Sequence, residues 1–435
     1  MQHIDLTDEQ QYLIKEAVKW YKHSSDQVFQ YTAPAGAGKS TVMHCIIDAL
    51  GIKYSQVAPM AFTGTASLVM RLNGFENACT IHSWMYRLET EEITVNDEVH
   101  YRKKFVFAPL DKRQFKLICI DEASMVPLHM KKDIEKNGIK IIACGDLNQL
   151  PPVADNPGFL FSGKIYRLTK IMRQSKYSSI VEISNMLRNG IEPRIGNYGQ
   201  VLVIPRDSLN DEMIKSAKTI LCGTNKTREA LNTYIRQNIF HFDSPLPHHG
   251  EKIVCRKNNW NVEEDGINIA NGMTGTVQND PSISGYKNKS FSLDFTPDLF
   301  PYITFNNLRC DYEYFLAPPD VRRKMKSLNY SKMNFLEKFE FAYAITTHLS
   351  QGSQFYTGIY IEENMGRDIQ NKLNYTGITR FVNFCIYVLP IKRVYIPVDG
   401  LKKSIISING DPVIWNLVVY YIYESIEKED SVIIF

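Results

Sequence analysis

The chain has 435 residues, of which 44% are hydrophobic and 22% charged, with a formal net charge of +3. These are the proportions of a globular protein rather than a disordered or fibrous one. No apolar run approaches the roughly 20 residues of a membrane helix. The opening "MQHIDLTDEQ" is polar and acidic, unlike a secretory or Arg-rich transit segment, so a cytoplasmic location without a membrane is expected. The eight cysteines stand singly, with no C-x-x-C spacing, which predicts reduced thiols rather than a disulfide frame or a zinc site.

From residue 28 to 170, short β-rich runs alternate with helical patterns. "VFQYTA", "YSQVAP", "FKLICID" and "KIIACGD" each end in a polar or glycine-bearing loop. This predicts a parallel sheet with helices on both faces and ligands at the carboxyl ends of its strands. "LETEEITVNDEVHYRKKFVFAP" (88–109) interrupts the alternation and predicts a protruding hairpin turning at Asn-Asp. A second alternating region is expected from "KIYRLTK" (164–170) through "TILCGTN" (219–225), resuming at "FEFAYAITTHL" and "QFYTGIYIEE". Between these, residues 246–335 carry short runs punctuated by Asn-Gly and Gly, which predict a small all-β insert. "PVIWNLVVYYIYESIEKED" (412–430) reads as an amphipathic helix packed on the second α/β unit.

"APAGAGKST" (33–41) lies between a strand pattern and a helix pattern, the context of a phosphate-binding loop. Backbone N–H groups from Ala35 to Ser40, freed by Gly36 and Gly38, would converge on phosphate oxygens. Lys39 would reach the β- and γ-phosphates, and Ser40 would be a Mg²⁺ ligand beside Thr41. Ala33 replaces the usual first glycine, which is tolerable where φ is negative. In "LICIDEAS" (117–124) an apolar strand ends in two acids. Asp121 fits the Mg²⁺ shell, and Glu122 fits the general base for an attacking water. Together they indicate a nucleoside triphosphatase using Mg²⁺.

A small-molecule kinase or a GTPase would share those features, but neither accounts for "GDLNQLPPV" (145–153) after another buried strand. That segment resembles motif III of superfamily 1 helicases, and "DEASM" resembles their motif II. The likeness continues in order along the chain. "LTDEQQ" (6–11) is similar to the Q-motif, "VAPMAFTGTAS" (57–67) to motif Ia and "TIHSW" (80–84) to motif Ib. "LTKIMRQS" (168–175) resembles motif IV, "CGTNKTREALN" (222–232) the element after it, "AYAITTHLSQGSQF" (342–355) motif V and "LNYTGITRF" (373–381) motif VI. "NGMTGTV" is similar to the SH3-like strand pair of the superfamily 1B branch that holds RecD and Dda.

The resemblance implies an α/β fold with two RecA-like parallel-sheet motor domains. The first, 1–165, would carry the hairpin, or pin, at 86–112. The second, 166–245 with 336–435, would carry the SH3-like all-β insertion at 246–335. It implies a monomeric ATP-dependent helicase that moves 5′→3′ on single-stranded DNA and opens duplex at junctions. Such an enzyme would serve replication, recombination or repair, alongside single-strand-binding or replication proteins, in a bacterial or phage-infected cell. A translocase that strips proteins from DNA, an RNA helicase and a motor subunit of a nuclease complex share the same motifs.

In the implied site, Lys39, Asp121, Glu122, Gln149, Arg173 and Arg380 carry the chemistry. Gln149 would sense the γ-phosphate, and the two arginines would act as fingers from the second domain. Gln10 would read adenine and Gln354 a ribose hydroxyl. The strand would be held by Pro59, Phe62, Thr63 and Gly64 of motif Ia and by Thr80 and His82 of Ib. Asn225, and Thr347, His348, Ser350 and Gln351 of motif V, would complete that track. Phosphate contacts and base stacking suffice for such sequence-blind binding. Leu349 and Gln354 stand where the family carries lysine and glutamate, and Thr65 where it carries lysine or arginine. These changes imply a weaker phosphate grip unless "VRRKMKS" (321–327) supplements it.

Overall fold

The computed structural model describes residues 6–95, 98–152, 155–170, 178–284, 290–327, 336–390, 392–398 and 401–407. The hairpin tip at 96–97, Arg173 and the segment 412–430 lie outside these residues. Three six-stranded sheets organise the rest.

The first sheet is parallel throughout. Its order is Cys79–Thr80, Val57–Ala61, Leu117–Asp121, Lys140–Gly145, Val28–Thr32 and Ile165–Arg167. Its central strands are nearly all apolar because both faces are covered. Leu117 and Cys119 face the core built with Leu13, Ala17, Val42 and Ile46, while Ile118 and Ile120 face the opposite core with Met130 and Ile134. The helix Asp8–His23 starts at a capping box in which Thr7 and Gln10 satisfy each other's backbone N–H groups.

The second sheet runs Ala344–Thr346, Ile220–Cys222, Phe355–Ile361, Phe381–Leu389 and Val201–Pro205. It is parallel to that point and ends in the antiparallel edge Gly196–Asn197. The third sheet is antiparallel, in the order Ser282–Ser284, Ser290–Pro297, Thr274–Val277, Lys252–Cys255 and Phe339–Phe341, with Phe305–Asp311 also pairing to Ser290–Pro297. Phe291, Phe295, Phe300, Phe305 and Phe339 fill its separate core.

Two expectations about sheet membership are corrected. Ile165–Arg167 was expected to open the second α/β unit; it is the edge of the first sheet, with Tyr166 opposite Tyr31 and Arg167 opposite Thr32. Phe339–Phe341 was expected to resume the second unit; it closes the all-β sheet against Lys252–Cys255. Apolar alternation identifies a strand, but the partner that strand takes is decided far away in sequence.

The hairpin pairs Tyr86–Val95 with Glu98–Phe107 in an unbroken antiparallel register. At about 3.4 Å per residue, ten residues on each arm reach some 30 Å from the lobe. Near its base Phe105 packs edge-on against His82 at 5.8 Å. The eight cysteines are unbridged, six of them buried. No described helix is long and apolar enough to cross a membrane.

Candidate active site

The phosphate loop joins the strand Val28–Thr32 to the helix Lys39–Leu50. Gly36 and Gly38 have φ of 82° and 80°, whereas Ala33 is not among the positive-φ residues. The left-handed region is open to glycine at little cost, so the two small residues stand where the turn demands them and Ala33 is accommodated. Ala33 donates its N–H to the Gly145 carbonyl at 3.0 Å, stitching the loop to the neighbouring strand. The Tyr31 hydroxyl donates to the Lys39 carbonyl at 2.9 Å. Ser40 and Thr41 follow in the first helical turn, beside the half-buried Ala35 and Gly36.

Asp121 ends its strand in register with Ala61. Its Oδ1 accepts the Glu122 N–H at 2.8 Å and the Cys144 thiol at 3.2 Å. Burial and the neighbouring Glu122 push the Asp121 carboxyl up, against the pull of Lys39. For Lys39, burial works to lower its pKa, but Glu122, Asp121 and Asp146 together raise it. The ammonium therefore stays charged in the centre of three carboxylates, which is the electrostatic counterpart of a site for a polyphosphate and a cation. Glu122 adopts φ 49°, a left-handed conformation that is costly for a residue with a Cβ. Its Oε2 is buried with no hydrogen-bond partner among the described residues, as is Oε1 of Gln149. Orphaned acceptors of this kind fit a group supplied by a ligand or its attacking water. Ser40 and Asp121 provide one hydroxyl and one carboxylate, the sparse donor set of a magnesium ion that keeps waters and phosphate oxygens.

Gln10 reaches the phosphate loop. Its Nε2 donates to the Ala37 carbonyl at 3.2 Å while its Oε1 accepts the Thr7 N–H at 3.0 Å. Both ends of the amide serve the protein, tying the first helix to the phosphate loop. Arg380 is buried at the end of the helix Arg367–Ile378, with Nε on the Thr376 carbonyl at 3.4 Å and Nη1 on the Ser353 carbonyl at 3.3 Å. Gln354 is exposed.

Sequence reasoning missed the residues that join the lobes here. The Tyr375 hydroxyl donates to Asp146 Oδ2 at 2.6 Å, and the Leu150 N–H donates to Thr376 Oγ1 at 3.1 Å. Gln351 donates from Nε2 to the Leu150 carbonyl at 3.3 Å. All of these residues lie within recognised motifs, but pairing across some 230 positions has no local signal.

The expected strand-binding residues divide into two groups. Phe62 and Thr63 are half-buried, His348 is half-buried, and His82 and Asn225 face solvent. The His82 ring packs on Tyr86 and Phe105, and the water lost on that side, with His129 nearby, lowers its pKa. Burial lowers that of His348. Both imidazoles are thus biased toward the neutral, donor-and-acceptor form. Asn225 begins a helix capped by Thr224, whose Oγ1 accepts the Thr227 N–H at 3.1 Å, while Glu363 accepts the Thr224 N–H at 2.9 Å.

The second group is buried and engaged. Thr347 donates to the Cys222 carbonyl at 3.1 Å, Ser350 to the Thr347 carbonyl at 2.8 Å, and Thr80 caps the helix Ile81–Met85. The Pro59 carbonyl accepts from the Trp84 indole at 2.8 Å. These residues shape the loops and do not present their side chains to solvent. Gly64 is pressed against the all-β unit, where a Cβ would lie 2.5 Å from Asn258 Oδ1 and 2.8 Å from Ala270 Cβ. Thr65 donates to the Asn271 carbonyl at 3.2 Å. In the motif V loop, Gly352 has φ 85°, and a Cβ there would lie 3.0 Å from the Ala66 nitrogen. Motif Ia, motif V and the β unit therefore meet at one point. In "VRRKMKS", Arg322 turns inward, donating to the Phe315 carbonyl at 2.9 Å.

Comparison with known proteins agrees with this geometry. A family model described as an AAA domain matches residues 5–203. The chain is 30% identical over 224 residues to the ATP-dependent DNA helicase PIF1 of Candida albicans, covering 44% of this chain and 23% of that protein. It is 27% identical over 268 residues to the ATP-dependent DNA helicase dda of Enterobacteria phage T4, covering 55% of this chain and 58% of that one. The chain thus spans about a quarter of the yeast relative's length and somewhat over half of the phage protein's. Among solved structures, Pif1 helicase from Candida albicans superposes with a TM-score of 0.52 at 18% identity, covering 98% of this chain and 100% of that one. Bacteroides Pif1 bound to ssDNA gives 0.53 at 16%, covering 97% and 98%. At such identities the structural likeness speaks for the fold. The motif order, the cleft and these relatives agree: the chain is similar in sequence to Pif1- and Dda-type ATP-dependent DNA helicases and shares the Pif1 fold.

Proposed function

We propose that the chain is an ATP-dependent DNA helicase that travels 5′→3′ along single-stranded DNA and separates duplex at junctions. The observation that carries this reading is the convergence of Lys39, Asp121, Glu122 and Asp146 at a cleft whose far wall, Tyr375 to Arg380, comes from the second α/β lobe. A hydrolysis site shared by two lobes makes fuel consumption sensitive to their relative position, which is what converts it into movement.

In this reading Lys39 and the loop amides hold the β- and γ-phosphates of ATP, and Glu122 takes the proton of the attacking water. Gln149 orients that water against the terminal phosphate, and Arg380 with Arg173 neutralises charge as the bond to the leaving group stretches. Ser40 and Asp121 would hold a magnesium ion, which would supply positive charge to the phosphate oxygens. The strand runs along Phe62, Thr63, His82, Asn225 and His348, and Gln354 lies by the ribose.

The relatives named ATP-dependent DNA helicase, and the neighbour bound to single-stranded DNA, support the choice of DNA. The corresponding division of the chain is a first motor domain through Arg167, an all-β insertion from about 246 to 341, and a second motor domain formed from the flanking segments. The protein acts as a cytoplasmic monomer in a bacterial or phage-infected cell, near single-strand-binding or replication proteins.

The test is strand displacement on matched 5′- and 3′-tailed duplexes, in DNA and in RNA, with Lys39→Ala as control. ATP-dependent opening of the 5′-tailed DNA alone, lost in Lys39→Ala, is the expected result. Hydrolysis retained by Lys39→Ala would refute the site assignment.

A further inference from the structure

Gln149 sits on the five-residue turn Asp146–Leu150, which projects from the end of the strand Lys140–Gly145. Its Oε1 is buried and has no hydrogen-bond partner among the described residues, so its aim is set by the turn that carries it. From within the first lobe, the turn is held by the Gln149 N–H on the Asp146 carbonyl at 3.1 Å, Asn148 on Asp146 Oδ1 at 3.0 Å, and Leu147 N–H on Thr32 Oγ1 at 3.1 Å.

The remaining holds come from the second lobe. Tyr375 takes the Asp146 carboxylate at one end of the turn, and Thr376 takes the Leu150 N–H at the other. Gln351 takes the Leu150 carbonyl. These three second-lobe side chains are at most 2% exposed, so solvent does not substitute for the bonds when they are lost. The Ala35 N–H of the phosphate loop also faces the Tyr375 oxygen. Tyr375 and Thr376 are adjacent on the helix that ends beside Arg380, whose Nε bonds the Thr376 carbonyl.

We propose that Tyr375 and Thr376 are positioning residues that clamp the Asp146–Leu150 turn, so that the second lobe decides whether Gln149 is aligned with the terminal phosphate. This rests on the reading of the cleft as an ATP site and adds how a strand held by the second lobe would control hydrolysis. When the lobes close, one helix delivers two things at once: the grip on the Gln149 turn, and Arg380. When they part, both are withdrawn together. The clamp does not hold nucleotide; it aims a group that does. Its removal therefore acts on turnover and on stimulation by a strand, and spares the grip on ATP.

The experiment measures turnover against ATP concentration in the full chain, with and without a saturating single-stranded oligonucleotide. The variants are Tyr375→Phe, Thr376→Val and Thr376→Ser, with folding followed by thermal melting. Tyr375→Phe and Thr376→Val each lower strand-stimulated kcat roughly tenfold, the effect of one lost buried hydrogen bond on an aligned group, while KM moves by less than about twofold. Thr376→Ser keeps the hydroxyl and keeps stimulation. Because both bonds hold one turn, the double variant loses less than the product of the two.

Full stimulation in Tyr375→Phe and Thr376→Val overturns the clamp, as does a rise in KM at constant kcat. Equal loss in Thr376→Ser and Thr376→Val assigns the effect to packing and also overturns it. If either substitution prevents folding, the other decides. A wild-type chain whose hydrolysis ignores the oligonucleotide overturns the motor reading itself, and the clamp falls with it.

Discussion

Arg228 and Glu340 meet at 2.7 Å in a buried junction, where the helix Asn225–Tyr234 of the second lobe touches the strand Phe339–Phe341 of the β unit. The same carboxylate takes the Tyr314 hydroxyl at 2.8 Å and lies 3.2 Å from Arg256 Nε and 3.9 Å from Arg322 Nη1. Burial alone would raise its pKa, but Arg256, Arg228, the Tyr314 hydroxyl and Arg322 outweigh it and bring it down to about 2. Three guanidinium groups gather round this one carboxylate, with Arg228 also reaching Glu229 at 2.9 Å, so the junction depends on that charge being present.

The pH dependence has a definite sign. A carboxyl whose folded pKa is depressed stabilises the fold above its unfolded value, near 4.5, and that stabilisation is lost as pH falls toward about 2. The shift corresponds to about 3 kcal/mol. Glu340→Gln removes the anion that Arg228, Arg256 and Arg322 have in common and should cost about 3–5 kcal/mol at pH 7. Urea unfolding midpoints of wild type and variant should therefore converge between pH 4.5 and 2. A gap that stays constant over that range would mean the carboxylate is not the charged partner described.

Gly38 offers a test at the phosphate loop. An alanine there would have to hold φ near 80° and would bring its Cβ to 2.8 Å from Gln10 Nε2. The backbone cost alone is about 1–2 kcal/mol. Gly38→Ala should reduce kcat/KM for ATP by about tenfold or more. Adding Gln10→Ala removes the collision but not the strain, so steady-state kinetics of the double variant should show only partial recovery. Full recovery would place the whole effect on the Gln10 contact.

The long hairpin can be shortened without disturbing its base. Excising 90–103 and joining Glu89 to Lys104 through Asn-Gly preserves the register Arg87 with Val106, Leu88 with Phe105 and Glu89 with Lys104. Asn-Gly suits the tight two-residue turn this requires. Strand-stimulated ATP hydrolysis should survive, whereas duplex displacement should fall about tenfold or more, the scale of one lost stacking platform. Undiminished displacement would favour a motor that opens duplex without this hairpin, or one whose main task is stripping bound proteins.

The chemistry of the first lobe could be read from the chain because it is local. The strand, loop and helix around Lys39 are contiguous, and a glycine's conformational freedom is written in its identity. The strand before Asp121 declares itself by its unbroken apolar run. Sheet membership was less legible, because Ile165–Arg167 and Phe339–Phe341 are short strands whose partners are chosen by long-range packing. The interlobe bonds of Tyr375 and Thr376 were invisible for the same reason, although both residues lie in a segment singled out for Arg380. Gln10 shows a third kind of gap. Its position was legible, but its bonds to Thr7 and to the Ala37 carbonyl, which tie the first helix to the phosphate loop, were not. Thr347, Ser350 and Gln351 likewise occupy the expected loop while spending their polar groups inside the protein.

The contact at Gly64 to Ala66 has a mechanical consequence. The first lobe touches the second through Ala66 and Gly352, the second touches the β unit through Arg228 and Glu340, and the β unit returns to the first through Asn271 and Thr65. Three bodies joined in a ring cannot each swing freely: a rotation at one joint must be absorbed at the other two. Opening any one joint would turn the ring into an open chain, in which the other two joints could turn independently.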